Sequence, residues 1–286
     1  MTAARLGLVA ALALVLAACE STHASVKNGL IAANWRGKGI ALVDPATARR
    51  TLFPRTESAT GLAWSPDGRM LAFVLPRQFL GTDVYALQGD GSGLRLVAKN
   101  AYGPSWSPDG KRLLIARDAK NFRVDLDTVR PDGSGVRRLS RQAGGVFAPA
   151  WSPAGDRIAF LGGDDALYLL ATNGRHRRRL AGRFGTHLSW SPDGSTLAFE
   201  IRGVSPNVNA DIGTVDVESG KRRTLTHDPG DEFAPAWSPD GREIAYVANT
   251  EIWLMDADGG HQRRLTHDGG LGYDELAWAR SPTKPG

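Results

Sequence analysis

One pentapeptide recurs along the chain in register. Trp-Ser-Pro-Asp-Gly stands at 64–68, 106–110, 190–194 and 237–241, with a variant carrying Ala154 at 151–155 and a degenerate copy, Trp278-Ala-Arg-Ser-Pro282. The spacings between Trp64, Trp106, Trp151, Trp190, Trp237 and Trp278 are 42, 45, 39, 47 and 41 residues. A period of roughly 40–45 residues is that of a four-stranded propeller blade. Helical repeats can share the period, but their units would space apolar residues by three and four. These units do not.

Each unit resolves into four strand-like runs. The first ends at the tryptophan, as in Phe147-Ala-Pro-Ala-Trp151. Ser-Pro-Asp-Gly then sets a tight hairpin, with Pro fixing φ at the second turn position and Gly taking the left-handed fourth. The second run is continuously apolar: Leu71-Ala-Phe-Val74, Ile158-Ala-Phe160, Leu197-Ala-Phe199 and Ile244-Ala-Tyr-Val247. Such a run suits a strand buried on both faces. The third alternates, as in Asp83-Val-Tyr-Ala-Leu87, Asp211-Ile-Gly-Thr-Val215 and Glu251-Ile-Trp-Leu-Met255, and leads into Gly-rich turns.

The fourth run is basic and then apolar: Arg137-Arg-Leu139, Arg177-Arg-Arg-Leu180, Arg222-Arg-Thr-Leu225 and Arg263-Arg-Leu265. Arginine along an outermost strand blocks edge-to-edge pairing. That role accounts for the basic clusters, including residues 175–179, with a polyanion site as the alternative.

The termini complete the pattern. Gly29–Ala32 matches a second strand, Gly39–Val43 a third and Arg49–Leu52 a fourth, while Glu275–Trp278 supplies only a first. The expected fold is all-β: a six-bladed β-propeller of four-stranded blades, closed by pairing the C-terminal strand with N-terminal strands. The repeats, with their Arg-Arg-Leu-Thr and Pro-x-Trp flanks, resemble the TolB-type propeller repeat, itself related to WD-repeat propellers. The resemblance covers residues 28 to about 282 and implies a fold more than a function. Propellers host binding scaffolds, lyases, hydrolases and domains attached to peptidases.

The N-terminus reads as an address. Arg5 precedes an unbroken apolar run from Leu6 to Ala18. That run falls short of the ~20 residues a spanning helix needs and fits the core of a secretory signal. It ends in Leu16-Ala-Ala-Cys19, which resembles the bacterial lipobox and implies that Cys19 becomes the lipidated first residue. A signal peptide with an incidental cysteine is the other reading. As the single cysteine of 286 residues, Cys19 excludes an intramolecular disulfide framework and a Cys-based zinc site.

The expected organisation is a signal peptide at 1–18, a lipidated tether at 19–27, the propeller at 28–282 and a tail at 283–286. An extracytoplasmic, lipid-anchored location follows, with membrane contact through the lipid alone. The formal net charge of +5 is mild and does not imply a nucleic-acid partner.

In this topology the first-to-second and third-to-fourth turns share one face, and their uniform sequences read as structure. The second-to-third and fourth-to-first connections share the other face and vary in length. The long second-to-third loops are expected at 76–82, 117–124 and 202–210. Variable loops on a rigid ring are where binding sits. Tyr102, Phe147, Phe184, Phe233 and Tyr273 precede the blade tryptophans and are expected to ring the channel mouth. They either pack blade on blade or form a stacking collar for a ligand or peptide. Charge on this face is segregated, with Asp231, Glu232, Asp274 and Glu275 on neighbouring connections and Arg77, Lys120 and Arg123 roughly across the ring. Such a pattern steers a charged partner.

Metal and catalytic signals are weak. His227 and His267 fall on diverging outer strands, and His187 lies near the axis without named companion ligands. Asp256-Ala-Asp258 lacks the bidentate Glu of a calcium loop, and there is no Gly-x-Ser-x-Gly elbow. No cofactor and no metal are expected. The expected function is a non-catalytic, monomeric scaffold that binds an envelope protein or peptide through its loop-rich face. The alternatives are a lyase or hydrolase acting on glycans at the channel mouth, and a small-ligand or sugar-binding lipoprotein.

Overall fold

The computed structural model describes residues 26–282, apart from residues 79, 120–122, 144, 183–184, 202–208, 268 and 270–271. Cys19, Phe184, Lys120 and the tail at 283–286 therefore lie outside the described residues.

The chain begins with three strands of an unfinished blade: β1 (Asn28–Trp35), β2 (Gly39–Val43) and β3 (Arg50–Leu52). Five complete blades follow. Blade 1 holds β4 (Thr60–Trp64), β5 (Met70–Pro76), β6 (Thr82–Gln88) and β7 (Arg95–Ala98). Blade 2 holds β8 (Tyr102–Trp106), β9 (Leu113–Ala119), β10 (Arg123–Val129) and β11 (Arg137–Ala143). Blade 3 holds β12 (Phe147–Trp151), β13 (Arg157–Leu161), β14 (Ala166–Ala171) and β15 (Arg178–Gly182). Blade 4 holds β16 (Leu188–Trp190), β17 (Thr196–Ile201), β18 (Asp211–Asp216) and β19 (Arg222–Thr224). Blade 5 holds β20 (Glu232–Trp237), β21 (Glu243–Ala248), β22 (Glu251–Asp256) and β23 (Arg263–Arg264). The last strand, β24 (Tyr273–Arg280), pairs antiparallel with β1, so blade 6 runs β24-β1-β2-β3. This is the expected closure, and it removes the open seam of the ring.

The core is six wedges, one at each junction between neighbouring blades. The second strands build both sides of these wedges by alternating in size. Leu71 and Phe73 face blade 6, while Ala72 and Val74 face blade 2. Blade 3 repeats this with Ile158 and Phe160 toward blade 2 and Ala159 and Leu161 toward blade 4. The period of two puts successive side chains on opposite faces. The Leu/Ile-Ala-Phe signature is therefore a large-small-large pattern that fills one wedge and admits its neighbour into the other.

Polar links tie the blades together around the ring. Trp106 Nε1 donates to the Ala63 carbonyl at 3.0 Å, and Trp190 Nε1 to the Ala150 carbonyl at 3.1 Å. At the alternate junctions Ser105 Oγ accepts from the Trp151 N–H and Ser189 Oγ from the Trp237 N–H, each at 2.9 Å. The Asp240 N–H donates to Asn28 Oδ1 at 3.2 Å, joining blades 5 and 6. Glu275 accepts from the Gly61 and Leu62 N–H groups at 2.6 and 3.0 Å, joining blades 6 and 1.

The Ser-Pro-Asp-Gly turns add a second ring of contacts. Their glycines sit at φ of +67° (Gly110), +78° (Gly155), +72° (Gly194) and +75° (Gly241), where L-residues are strained. Each lies against the proline of the preceding blade's turn, namely Pro66, Pro108, Pro153 and Pro192. At the closing junction a methyl group on Gly68 would fall 2.0 Å from the Arg280 carbonyl oxygen, so the turn of blade 1 admits the C-terminal strand only because it carries glycine.

One expected loop is mostly strand. The connection read as loop over 117–124 is a hairpin extension, because β9 runs to Ala119 and β10 begins at Arg123. Apolar character ends at Ala116, but the ladder continues through charged partners, with Arg117 opposite Asp125. Opposite charges facing each other across two strands support pairing as apolar residues do.

Candidate functional site

The tight-turn end of the channel is a cavity of about 420 Å³ lined by all six blade tryptophans together with Ser65, Ser105, Ser152, Ser189 and Ser238. The opposite end carries the variable connections. There the aromatic residues divide by burial. Tyr273 is 1% exposed, its ring 5.8 Å from that of Trp35 inside the wedge between blades 5 and 6. Phe233 packs half-buried against the same wedge. Tyr102 packs half-buried against the wedges on both sides of blade 2 and donates its hydroxyl proton to Asp118 Oδ1 at 3.1 Å. Burial first, and then the Asp118 charge, push that hydroxyl's pKa up. Phe147 remains 53% exposed. Leu80, between β5 and β6, is 87% exposed on the same face.

His187 has a buried carboxylate partner, Glu200, that its spacing in the sequence does not show. Glu200 on β17 occupies the position that Val74, Ala116, Leu161 and Val247 hold in other blades, and it points toward blade 5. Its Oε1 lies 2.5 Å from His187 Nδ1 and accepts from the Ala234 N–H at 3.0 Å. Its Oε2 accepts from the Thr186 N–H at 2.9 Å. Burial alone would raise its pKa. The His187 contact and charge, with the two N–H groups, outweigh burial and hold the carboxyl at about 2. The Glu275 carboxyl is pushed up by burial, against the charge of His187 and the Gly61 and Leu62 N–H groups. A carboxylate held so low, with both oxygens engaged, has no proton to give at neutral pH. Glu200 braces the junction of blades 4 and 5. The signal for it is one charged residue closing an otherwise apolar Leu-Ala-Phe run.

The acidic side of the face is partly interior. Asp231 is exposed, and its Oδ1 accepts from the Ala210 N–H at 2.9 Å. Glu232 is 0% exposed, with Oε2 accepting from the Thr226 hydroxyl at 3.2 Å and Oε1 reached by no N–H or hydroxyl donor among the described residues. Burial, joined by the charges of Asp211, Asp228 and Asp231, pushes its carboxyl up to about 7. Blade 5 solves the same problem differently, since Glu251 is neutralised by Arg264 at 2.9 Å. Asp274 is paired with Arg36 at 2.5 Å. On the basic side Arg77 is exposed and donates from Nη1 to Asn100 Oδ1 at 2.6 Å, and Arg123 is exposed at the start of β10.

Fold and ring closure define a TolB-type six-bladed propeller. TolB from Acinetobacter baumannii superposes with a TM-score of 0.72 at 21% identity, covering 88% of this chain and 66% of that one. The putative TolB from Agrobacterium tumefaciens gives 0.66 at 20% identity, covering 85% and 89%. Residues 206–277 match the family model of the dipeptidyl peptidase IV N-terminal region. An uncharacterized peptidase, YuxL from Bacillus subtilis, is 28% identical over 140 residues, which is 35% of this chain and 21% of that protein. The chain spans less than a third of the length of the curated relatives it matches.

Proposed function

We propose that the protein is a non-catalytic scaffold of the cell envelope that recognises a protein or peptide through its loop-rich face. The observation that carries this reading is the exposure of Leu80 and Phe147, the two most exposed large apolar side chains among the described residues, both on that face. They stand among exposed charges sorted by blade, with Arg77 and Arg123 on blades 1 and 2 and Asp228 and Asp231 between blades 4 and 5. Apolar anchors within a charged surround are the composition of a recognition surface. A rigid ring also presents them without an ordering cost at binding. The match to a region of dipeptidyl peptidase IV, an enzyme named for its action on peptides, supports the same ligand class.

Tagged full-length protein extracted from membranes should capture a partner from envelope extracts, and the Leu80→Ser/Phe147→Ser variant should lose it while keeping its melting temperature. Capture undiminished by the double variant would remove the loop-rich face from consideration.

Extracytoplasmic anchoring belongs to the same proposal. It is supported by Arg5, the apolar run to Ala18 and the Leu-Ala-Ala-Cys19 cleavage pattern. Cys19→Ala should move the protein from the membrane to the soluble fraction of the envelope. Retention of that variant in the membrane fraction would rule out the lipid anchor.

A further inference from the structure

Blade 2 breaks the repeat on one side. In blades 1, 3 and 5 the second and third strands set two aromatic rings opposite each other: Phe73 and Tyr85, Phe160 and Tyr168, Tyr246 and Trp253. The corresponding pair in blade 2 is Ile115 and Asp127. Asp127 is 1% exposed; its Oδ2 is held by the Arg117 guanidinium, and its Oδ1 has no partner among the described residues. A buried carboxylate destabilises a fold unless it is well paired. The other blades show that this position does not need one.

A row of charge runs outward from it. Arg117, Asp125 and Arg141 stand in register across β9, β10 and β11. Asp125 accepts from Arg141 Nε at 2.7 Å and Nη2 at 3.3 Å, and pairs with Arg138 at 2.8 Å. Two carboxylates thus brace three guanidiniums. At seven residues β11 is the longest outer strand among the described residues, and Arg141 sits in its extension. Across the junction, blade 1 contributes Lys99 and Asn100, the latter held by Arg77.

These groups enclose a cleft of about 690 Å³ with five cationic side chains, Lys99, Arg117, Arg123, Arg138 and Arg141, against the carboxylates Asp118 and Asp125. Among the described residues Lys99 and Arg123 make no ion pair. Guarding a sheet edge accounts for exposed arginine on an outer strand. It does not account for interior carboxylates that hold arginines in place. We propose that the cleft between blades 1 and 2 binds a ligand carrying at least two carboxylate or phosphate groups. Braced guanidiniums offer paired N–H donors to such oxyanions with little left to order. Lys99 and Arg123 supply the positive charge that the protein leaves uncompensated. This site goes beyond the peptide-binding reading and stands if that reading fails.

The test is calorimetric titration of the full-length protein in detergent with pyrophosphate, citrate and glucose, in dilute buffer and again in about 0.15 M NaCl, where exposed charges more than ~8 Å apart are screened. Saturable one-to-one binding of pyrophosphate or citrate, but not glucose, is expected in both buffers. Arg123→Ser and Arg141→Gln should each weaken it about ten-fold, while Arg179→Ser on blade 3 leaves it unchanged. The stronger of the two anions tells phosphate from carboxylate. Arg123 is exposed, so its variant retains the parent's melting curve and keeps the test readable if Arg141→Gln unfolds. Absence of saturable heat with both anions would overturn the proposal. So would binding that Arg123→Ser leaves intact, or that vanishes in salt and falls equally with Arg179→Ser.

Discussion

Glu200 and Glu232 lie in neighbouring parts of one junction and are pushed in opposite directions. Glu232 rises from an ordinary 4.5 to about 7 because burial and three nearby carboxylates oppose its charge. Between those values the folded state keeps a proton that the unfolded chain has lost, so stability falls as pH climbs through that window. Glu232→Gln removes the ionisation. Its stability should stay flatter than the parent's from about pH 5 to about pH 8 and exceed it by about 3 kcal/mol at the upper end. Urea unfolding of the two proteins across that range checks this; parallel pH profiles would show that Glu232 titrates normally. Glu200 runs the other way. Its folded value near 2 makes its contribution present above 4.5 and lost as pH falls toward 2.

At the scale of the strand, the repeat made most of the fold legible. Proline and glycine at fixed turn positions, and an apolar run after each turn, reflect local backbone chemistry that a single sequence displays. The size alternation in Leu71-Ala-Phe-Val74 is equally local. Less legible were features set by one blade meeting another. Tyr273 and Phe147 hold similar places before their tryptophans, yet one is buried in a wedge and the other is open to solvent. That difference depends on residues distant in the chain, here on Trp35 of β1 opposite Tyr273 of β24. The extended hairpin of blade 2 was hidden because its pairing is carried by Arg117 and Asp125, which read as a loop when strands are sought by apolar alternation. Glu200 left a trace, a lone charge at an apolar repeat position, but its partners His187 and Ala234 come from elsewhere in the chain.

The whole molecule depends on one blade unlike the other five. Blade 6 is assembled from both ends of the chain, and β24 supplies the partner for β1, the carboxylate that binds Gly61 and Leu62, and the backbone against Gly68. Each wedge needs a blade on both sides, so losing β24 exposes apolar surface on blades 1, 5 and 6 together. A chain ending before residue 273 should lose its sharp thermal transition and bind a hydrophobic dye, as a compact state without fixed packing does. An unchanged melting curve would show that the ring is held without its closing strand. A closed ring is also what fixes Leu80 and Phe147 at one end of the channel and the uniform turns at the other.

The decisive measurement is site-specific photo-crosslinking in intact cells, with a photoreactive amino acid placed at Phe147 on the loop-rich face or at Lys111 in a tight turn on the opposite face. A discrete protein or peptide adduct from position 147, absent from position 111, is the predicted result. Adducts confined to position 111, or none from position 147, would contradict recognition through the loop-rich face.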